Sequence, residues 1–422
     1  MVYITLIALL LTVTNLVPLS AIGFLPILLY GWRFFGRSYP SFVTPLVAFC
    51  VLVTLSTLLY DPASLADFEF YRRDGNFYIS YAPILAGFLY THDLDLNKLL
   101  RRFYVFAVCV NVPSYGYYLV HTGLLSIFKH PDLSYGSLFI ARNAAGGFLA
   151  MLLCLGIANY MHRRGMFLIA LMGANFIMLW STYSRGSLLG VAMVVPYIIL
   201  GRKRAVLATL ITGMIVASLA IAQWNTLPHV NYMGETFAIS DPDEKVANLN
   251  IRYGWLWPRA LAYFEHSPIV GMGFGSFDDQ ISTCIDYFHM FSEPLRVFIR
   301  HTDSHAHNSY LNFLAELGVA GLFLMLSFYW RLTAWCQAKA SESLAFGGAS
   351  DFVALRFVEL SSVCLMVMAA TEHRLTSPSN VLPLALVISL VVSSRGLATR
   401  FAHFGSRGVP ARHMHASRAQ TR

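Results

Sequence analysis

Eighteen consecutive residues from Ala205 to Ala222 carry no charge, and the run Val191 to Leu200 is apolar on almost every face. Neither follows the 3.6- or 2-residue period by which a soluble protein buries one face and hydrates the other. Segments of this kind belong in lipid. With 56% hydrophobic and only 12% charged residues among 422, the chain is an all-α polytopic membrane protein. A net charge of +8 does not point to nucleic acid, because the basic residues sit in short clusters between apolar runs, as the positive-inside rule expects. The clusters are Lys98 with Arg101-Arg102, Arg163-Arg164, Arg202-Lys203-Arg204, and the tail from Arg395 to Arg422. That tail either stays disordered or touches anionic lipid headgroups.

The apolar runs predict helices over 40–60, 76–91, 103–121, 138–160, 166–183, 186–200, 204–223, 308–331, 352–371 and 378–395. The stretch Val2 to Phe35 is too long for one span, and Asn15 and Pro18 divide it into helices at 2–15 and 18–33. At roughly 20 residues per span this gives about 12 transmembrane helices, with both termini and the strong basic clusters in the cytoplasm. Only Arg72-Arg73 falls on the other side. No basic segment precedes the first apolar run, so that run reads as a retained helix.

One extracytoplasmic loop of about 85 residues interrupts the pattern, far longer than an ordinary connection. The expected organisation is therefore an N-terminal set of transmembrane helices (1–223), a loop domain (224–307), C-terminal transmembrane helices (308–395) and a basic tail (396–422). The loop reads as helical through Arg252, Trp255, Trp257 and Phe264, a helix ended by Pro268 and the turn-forming Gly271, Gly273 and Gly275. Of six cysteines only Cys284 lies in the loop, which excludes a disulfide within it. The three glycines form no nucleotide fingerprint, since no strand precedes them.

Polar residues gather where the loop enters the next helix. His307 reads either as an interfacial residue capping that helix or as a general base, since an imidazole titrates near neutrality and can accept a proton from a hydroxyl group. Asn308 either orients the ring or caps the helix. Glu316, about two turns further on, is costly in lipid and faces the bundle interior. Arg185, in Ser184-Arg185-Gly186-Ser187, either snorkels to headgroups or binds an anion at a tight helix junction. Arg142 begins another span on the same side and ranks below it. Arg296 and Arg300 are ordinary basic residues of a membrane surface. His289, His301, Asp303, His305 and His307 are suitable metal ligands by type, but their spacing matches no standard zinc motif. Trp224, Trp255 and Trp257 either stack on sugars or belong to an interfacial aromatic belt.

His307-Asn308, nine residues, Gly318, two residues and Gly321 together resemble the signature of the O-antigen ligase and polymerase family of bacterial membrane glycosyltransferases. Arg252 ahead of Pro268-x-x-Gly271-x-Gly273 also resembles that family's loop. The resemblance is best from about Arg185 to Gly321. It implies an inner-membrane enzyme whose active site faces the periplasm and which moves a glycan from undecaprenyl diphosphate to an acceptor glycan such as lipid A core. A polymerase, whose acceptor is another lipid-linked repeat unit, is the alternative within the family. Carried onto this chain it implies His307 as the catalytic base and Arg185 and Arg252 as diphosphate ligands, with neither cofactor nor metal required; by their positions Arg142 is a further candidate diphosphate ligand and Asn308 and Glu316 are candidates for support. A transporter or flippase of lipid-linked glycans is the rival of another class. It would place its charges at the bilayer midplane, whereas these gather at one surface.

Overall fold

A computed structural model describes residues 1–14, 22, 25–34, 39–66, 70, 76–123, 134–139, 141–222, 236–238, 252, 256–277, 280–289, 292–301, 305–345 and 349–395, with the backbone alone for 205–222 and the strands. The helices are α1 (Val2–Leu11), α2 (Leu25–Tyr30), α3 (Val43–Tyr60), α4 (Asn76–Ala86), α5 (Leu96–Thr122), α6 (Arg142–His162), α7 (Met166–Ser181), α8 (Arg185–Ala222), α9 (Trp257–His266), α10 (Ser309–Ala345), α11 (Phe352–Ala369) and α12 (Pro378–Ser393). Among the described residues six stretches are long and apolar enough to cross a membrane, and four shorter apolar helices accompany them. The protein is a helical, multi-pass membrane protein. Asn15, Pro18, Arg72-Arg73, Trp224, Trp255, Asp303 and the tail 396–422 lie outside the described residues.

Lipid-facing and interior helices separate by burial. In α6 and α11, 78% of the membrane-length window is buried, against 33% in the first half of α8, so α6 and α11 form the centre. Helix α11 packs against α6, α8 and α10, and α12 packs against α4 and α1. Because lipid tails are as apolar as leucine, close van der Waals packing holds such helices together, and small residues permit it. Gly156 of α6 shows this directly, since a Cβ there would come within 2.7 Å of the Tyr104 hydroxyl on α5.

Several helix boundaries differ from the sequence expectation, each for a local reason. Helix α5 starts at Leu96, not 103, because the Asp95 carboxylate caps it by accepting the Lys98 N–H at 3.1 Å. Lys98, Arg101 and Arg102 remain on its exposed side while Leu96, Leu100, Phe103, Tyr104 and Ala107 are buried. The two helices expected over 186–200 and 204–223 form one run, broken where expected by Gly201 at φ 74°. Helix α10 runs to Ala345, well past 331, and is broken at Gly318, where φ is 62°. In place of a helix at 18–33 the described residues show α2 followed by the 3₁₀ turn Gly31–Phe34.

The long loop holds more than the one expected helix. Helix α9 runs from Trp257, with Arg252 and Leu256 ahead of it in π-helical conformation, and strands β1 (Thr236–Ala238), β2 (Gln280–His289) and β3 (Ser292–His301) form a small sheet. Strand β1 pairs parallel to β2, and β2 antiparallel to β3 with Ile281 opposite His301.

The break in α10 is where the loop is seated. Leu317 ends the first segment of the helix, leaving backbone carbonyls without helical partners, and the N–H groups of Met272 and Gly273 bond Ala315 O and Glu316 O at 2.9 and 3.0 Å. The N–H groups of Val319 and Ala320 open the second segment and bond Pro268 O and Ile269 O at 2.9 and 3.2 Å. Two glycines make this exchange possible. A Cβ on Gly271 would sit 2.1 Å from the Glu316 backbone, and one on Gly318 would sit 2.4 Å from that of Ile269. Leu256, Ala260, Tyr263 and Phe277 then pack on Ala306 and Ala315 in a small apolar cluster, which fixes α9 over the start of α10.

Candidate functional site

Between α11 and α12 lies the short segment Thr371-Glu372-His373-Arg374, and the polar residues of the site converge on it. His307 Nδ1 is 3.1 Å from Glu372 Oε2. Arg252 donates through Nη2 to Glu372 Oε1 at 2.6 Å and through Nη1 to Thr371 O at 2.5 Å. Asn143, in the first turn of α6, donates to the same Oε1 at 3.2 Å. The Ser309 hydroxyl fastens the segment to the start of α10, donating to Glu372 O at 3.3 Å and accepting the N–H groups of Arg374 and Leu375 at 2.8 and 3.2 Å.

Charge distribution follows from these contacts. Burial raises the Glu372 pKa, but the His307 hydrogen bond and the charges of His307, Arg374 and Arg252 outweigh it and hold the carboxyl well below the ordinary range. An ionised carboxylate only accepts hydrogen bonds, so the proton between the two groups sits on His307 Nδ1. The site thus contains a carboxylate–imidazole pair with the imidazole side chain 39% exposed and the carboxylate 14% exposed. In such a pair the imidazole takes up a proton while the carboxylate stabilises the resulting cation.

Of the residues singled out in the sequence, His307 and Arg252 meet directly through Glu372. Arg185 stands exposed at the start of α8. The turn before it is tight, with Tyr183 at φ 51° and the Ser184 and Ser187 hydroxyls 2.8 Å apart. Its neighbour Gly186 abuts the charged segment, since a Cβ there would lie 2.1 Å from Thr371 Oγ1. Arg142 is half-buried at the first position of α6, next to Asn143.

Asn308 caps α10, its Oδ1 accepting the N–H groups of Tyr310 and Leu311 at 3.0 and 3.2 Å; Glu372 is the group that meets the imidazole. Glu316 is buried, and its Oε1 accepts the Phe277 N–H at 3.3 Å. Trp257 is a hydrogen-bond donor to Ala306 O at 3.0 Å.

The histidines collect around His307. The His305 ring lies 4.3 Å from that of His373 and 5.8 Å from that of His307. His373 is hydrogen-bonded to Thr376, and burial, with the neighbouring positive groups, lowers its pKa well below the usual histidine value. Among the described residues no group of three or more His, Cys, Asp or Glu is arranged to hold a metal ion. His289 and His301 lie on β2 and β3.

Glu372, His373 and Arg374 were not singled out in the sequence, where the apolar run 352–371 extends almost to them. The available signal was three titratable residues in succession in a short connection between two apolar helices. Arg374 is 3% exposed and donates to Asn143 O at 2.6 Å. The bare face of Gly147 on α6 makes room for Arg374 and Asn380.

Residues 166–326, from α7 through the long loop to the second segment of α10, match the family described as O-antigen ligase. Among curated proteins none matches the chain.

Proposed function

We infer that this chain, an O-antigen ligase-like glycosyltransferase by the family of its 166–326 segment, uses His307 and Glu372 to deprotonate an acceptor hydroxyl and Arg252 and Arg185 to hold a lipid diphosphate. The contact of His307 with Glu372, itself bound to Arg252, is the observation that carries this reading. The donor is a glycan on undecaprenyl diphosphate. The acceptor is another glycan, lipid A core for a ligase or a second lipid-linked repeat unit for a polymerase. As the acceptor oxygen bonds to the anomeric carbon, its proton passes to His307 Nε2 and the bond from that carbon to the diphosphate oxygen breaks. The electron pair leaves with the diphosphate, so negative charge grows there, where guanidinium groups stabilise it. Glu372 stabilises the imidazolium.

Arg252 is suited to the diphosphate although Glu372 already holds it. Its Nε–H is buried without a hydrogen-bond partner among the described residues, and a guanidinium offers five donors in a fixed fork. Arg185 supplies an exposed guanidinium one residue before Gly186, which abuts Thr371, and Arg142 contributes positive charge at the start of α6. Asn308 and Glu316 support the site through the backbone, one by capping α10 and the other by holding Phe277. A lipid diphosphate is already an activated leaving group, so the scheme calls for no metal or other cofactor.

This reading places the site on the periplasmic side of a bacterial inner membrane, with the division into 1–223, 224–307, 308–395 and 396–422 and about 12 spans at roughly 20 residues each. The orientation is supported by α6 and the first half of α8, which run from the site toward Arg163-Arg164 and Arg202-Lys203-Arg204 at their opposite ends. The test is transfer by the purified chain from an undecaprenyl-diphosphate glycan to lipid A core and, separately, to a second lipid-linked glycan. A product with either acceptor supports the reading and names the branch; donor carried across a vesicle wall without transfer would replace it with transport.

A further inference from the structure

His307 has a backbone that its side chain does not favour. At φ 48° it is one of three non-glycine residues with positive φ among the described residues, a conformation that persists only where the surroundings impose it. The preceding residue shows how it is imposed. Ala306 is fully buried, and both of its backbone polar groups are held by side chains. Its N–H bonds Asn312 Oδ1 at 3.2 Å, and its carbonyl accepts the Trp257 indole N–H at 3.0 Å. On the other side of His307, Asn308 is fixed by its capping bonds into α10. The strained residue therefore hangs between two anchored neighbours, and its ring meets Glu372 from that position.

We propose that Trp257 and Asn312 are positioning residues for the transfer reaction, which clamp Ala306 from opposite sides and thereby hold the His307 imidazole in register with Glu372 and the acceptor hydroxyl. The inference rests on His307 being the base. Trp257 is well placed for this because it stands at the start of α9, close in sequence to Arg252. One element of the loop thus positions the proton acceptor through Ala306 and carries the diphosphate ligand just before it. The role differs from stacking on a sugar, because the indole acts through its N–H on the protein backbone.

The test uses the purified chain with an undecaprenyl-diphosphate glycan as donor and, in separate reactions, lipid A core and a second lipid-linked glycan as acceptor. Trp257→Phe keeps an aromatic ring and removes the N–H. It should lower kcat about 10- to 100-fold per folded molecule, the scale at which small misplacements of a reacting group are felt, with donor KM at the parental value. Asn312→Asp keeps an oxygen for the Ala306 N–H and should retain more kcat than Asn312→Leu, which has similar size and no acceptor. Parental kcat in Trp257→Phe would overturn the inference, as would equal losses in the two Asn312 variants. If His307→Ala also keeps parental activity, the base assignment falls with it; if His307→Ala is inactive, the clamp alone is wrong.

Discussion

Two regions hold the loop and the helical bundle together, and they do so by opposite means. At the break in α10, Pro268 to Gly273 meets Ala315 to Ala320 through main-chain hydrogen bonds, and the contact is possible because Gly271 and Gly318 have no side chain. At the segment Thr371 to Arg374, Arg252, His307 and Asn143 meet through side chains and charge. The first region satisfies the helix ends, so it fixes position and offers no reactive group. Among the described residues the second leaves buried polar atoms without a hydrogen-bond partner, including Arg252 Nε and Arg374 Nε and Nη2. Backbone exchange serves placement, and the unsatisfied charged segment serves chemistry.

Substitutions should break the two regions in different ways. The largest catalytic effect is expected from His307→Ala, which removes the proton acceptor. Transfer should fall by about 10²- to 10⁴-fold, the usual contribution of general base catalysis, while abundance in the membrane stays normal; full activity would show that the charged segment is structural. Arg252→Lys should cost about 10-fold or more in transfer, since an ammonium keeps the charge but not the planar fork, and Arg185→Lys should impair it in the same sense. Lysine variants that turn over donor like the parent would rule out a bidentate grip.

Gly318→Ala acts on the other region. It places a Cβ against the Ile269 backbone at a positive φ, and should cost about 2 kcal/mol or more, read as a lower melting temperature and less folded protein. Parental stability would mean that the backbone exchange is dispensable.

The pH dependence separates the regions further. The Glu372 pKa is depressed in the folded protein, so its stabilising contribution is complete above the unfolded value of 4.5 and is lost only as pH falls through the lower folded value. Lowering pH from about 7 to about 5 should therefore leave this carboxylate charged and its contribution to stability intact; a drop in melting temperature over that range that Glu372→Gln abolishes would contradict the assignment. The smallest effect is expected from chelation. Transfer should survive EDTA without added divalent ion, because guanidinium groups stabilise the leaving diphosphate. Loss restored by one specific ion, and absent in a His305→Ala variant, would turn the histidine cluster into a metal site.

The backbone region was readable in the sequence as Pro268-x-x-Gly271-x-Gly273 and as Gly318 at a fixed distance from His307, because glycine is required wherever φ is positive and backbones touch. Its physical reason was not readable, since nothing in the spacing says that the two glycine motifs face each other. The membrane helices were legible from unbroken apolar runs, whereas the early start of α5 depended on a single cap at Asp95. His307 and Arg252 stood out by motif. Glu372 did not, because it lies 65 positions beyond His307 and only the packing of α10 against α11 brings the two together. Asn308 was readable as a cap or as the partner of the ring, and the proximity of Glu372 decides between them.

The central claim is that His307 and Glu372 act as one unit. It is tested most directly by measuring single-turnover transfer in Glu372→Gln, His307→Ala and the double variant, at equal amounts of folded protein. Residues that act as a unit are strongly non-additive, so the account predicts that the double variant is no slower than His307→Ala alone. Losses that multiply across the two positions would show that Glu372 works independently of the imidazole, and would contradict the account.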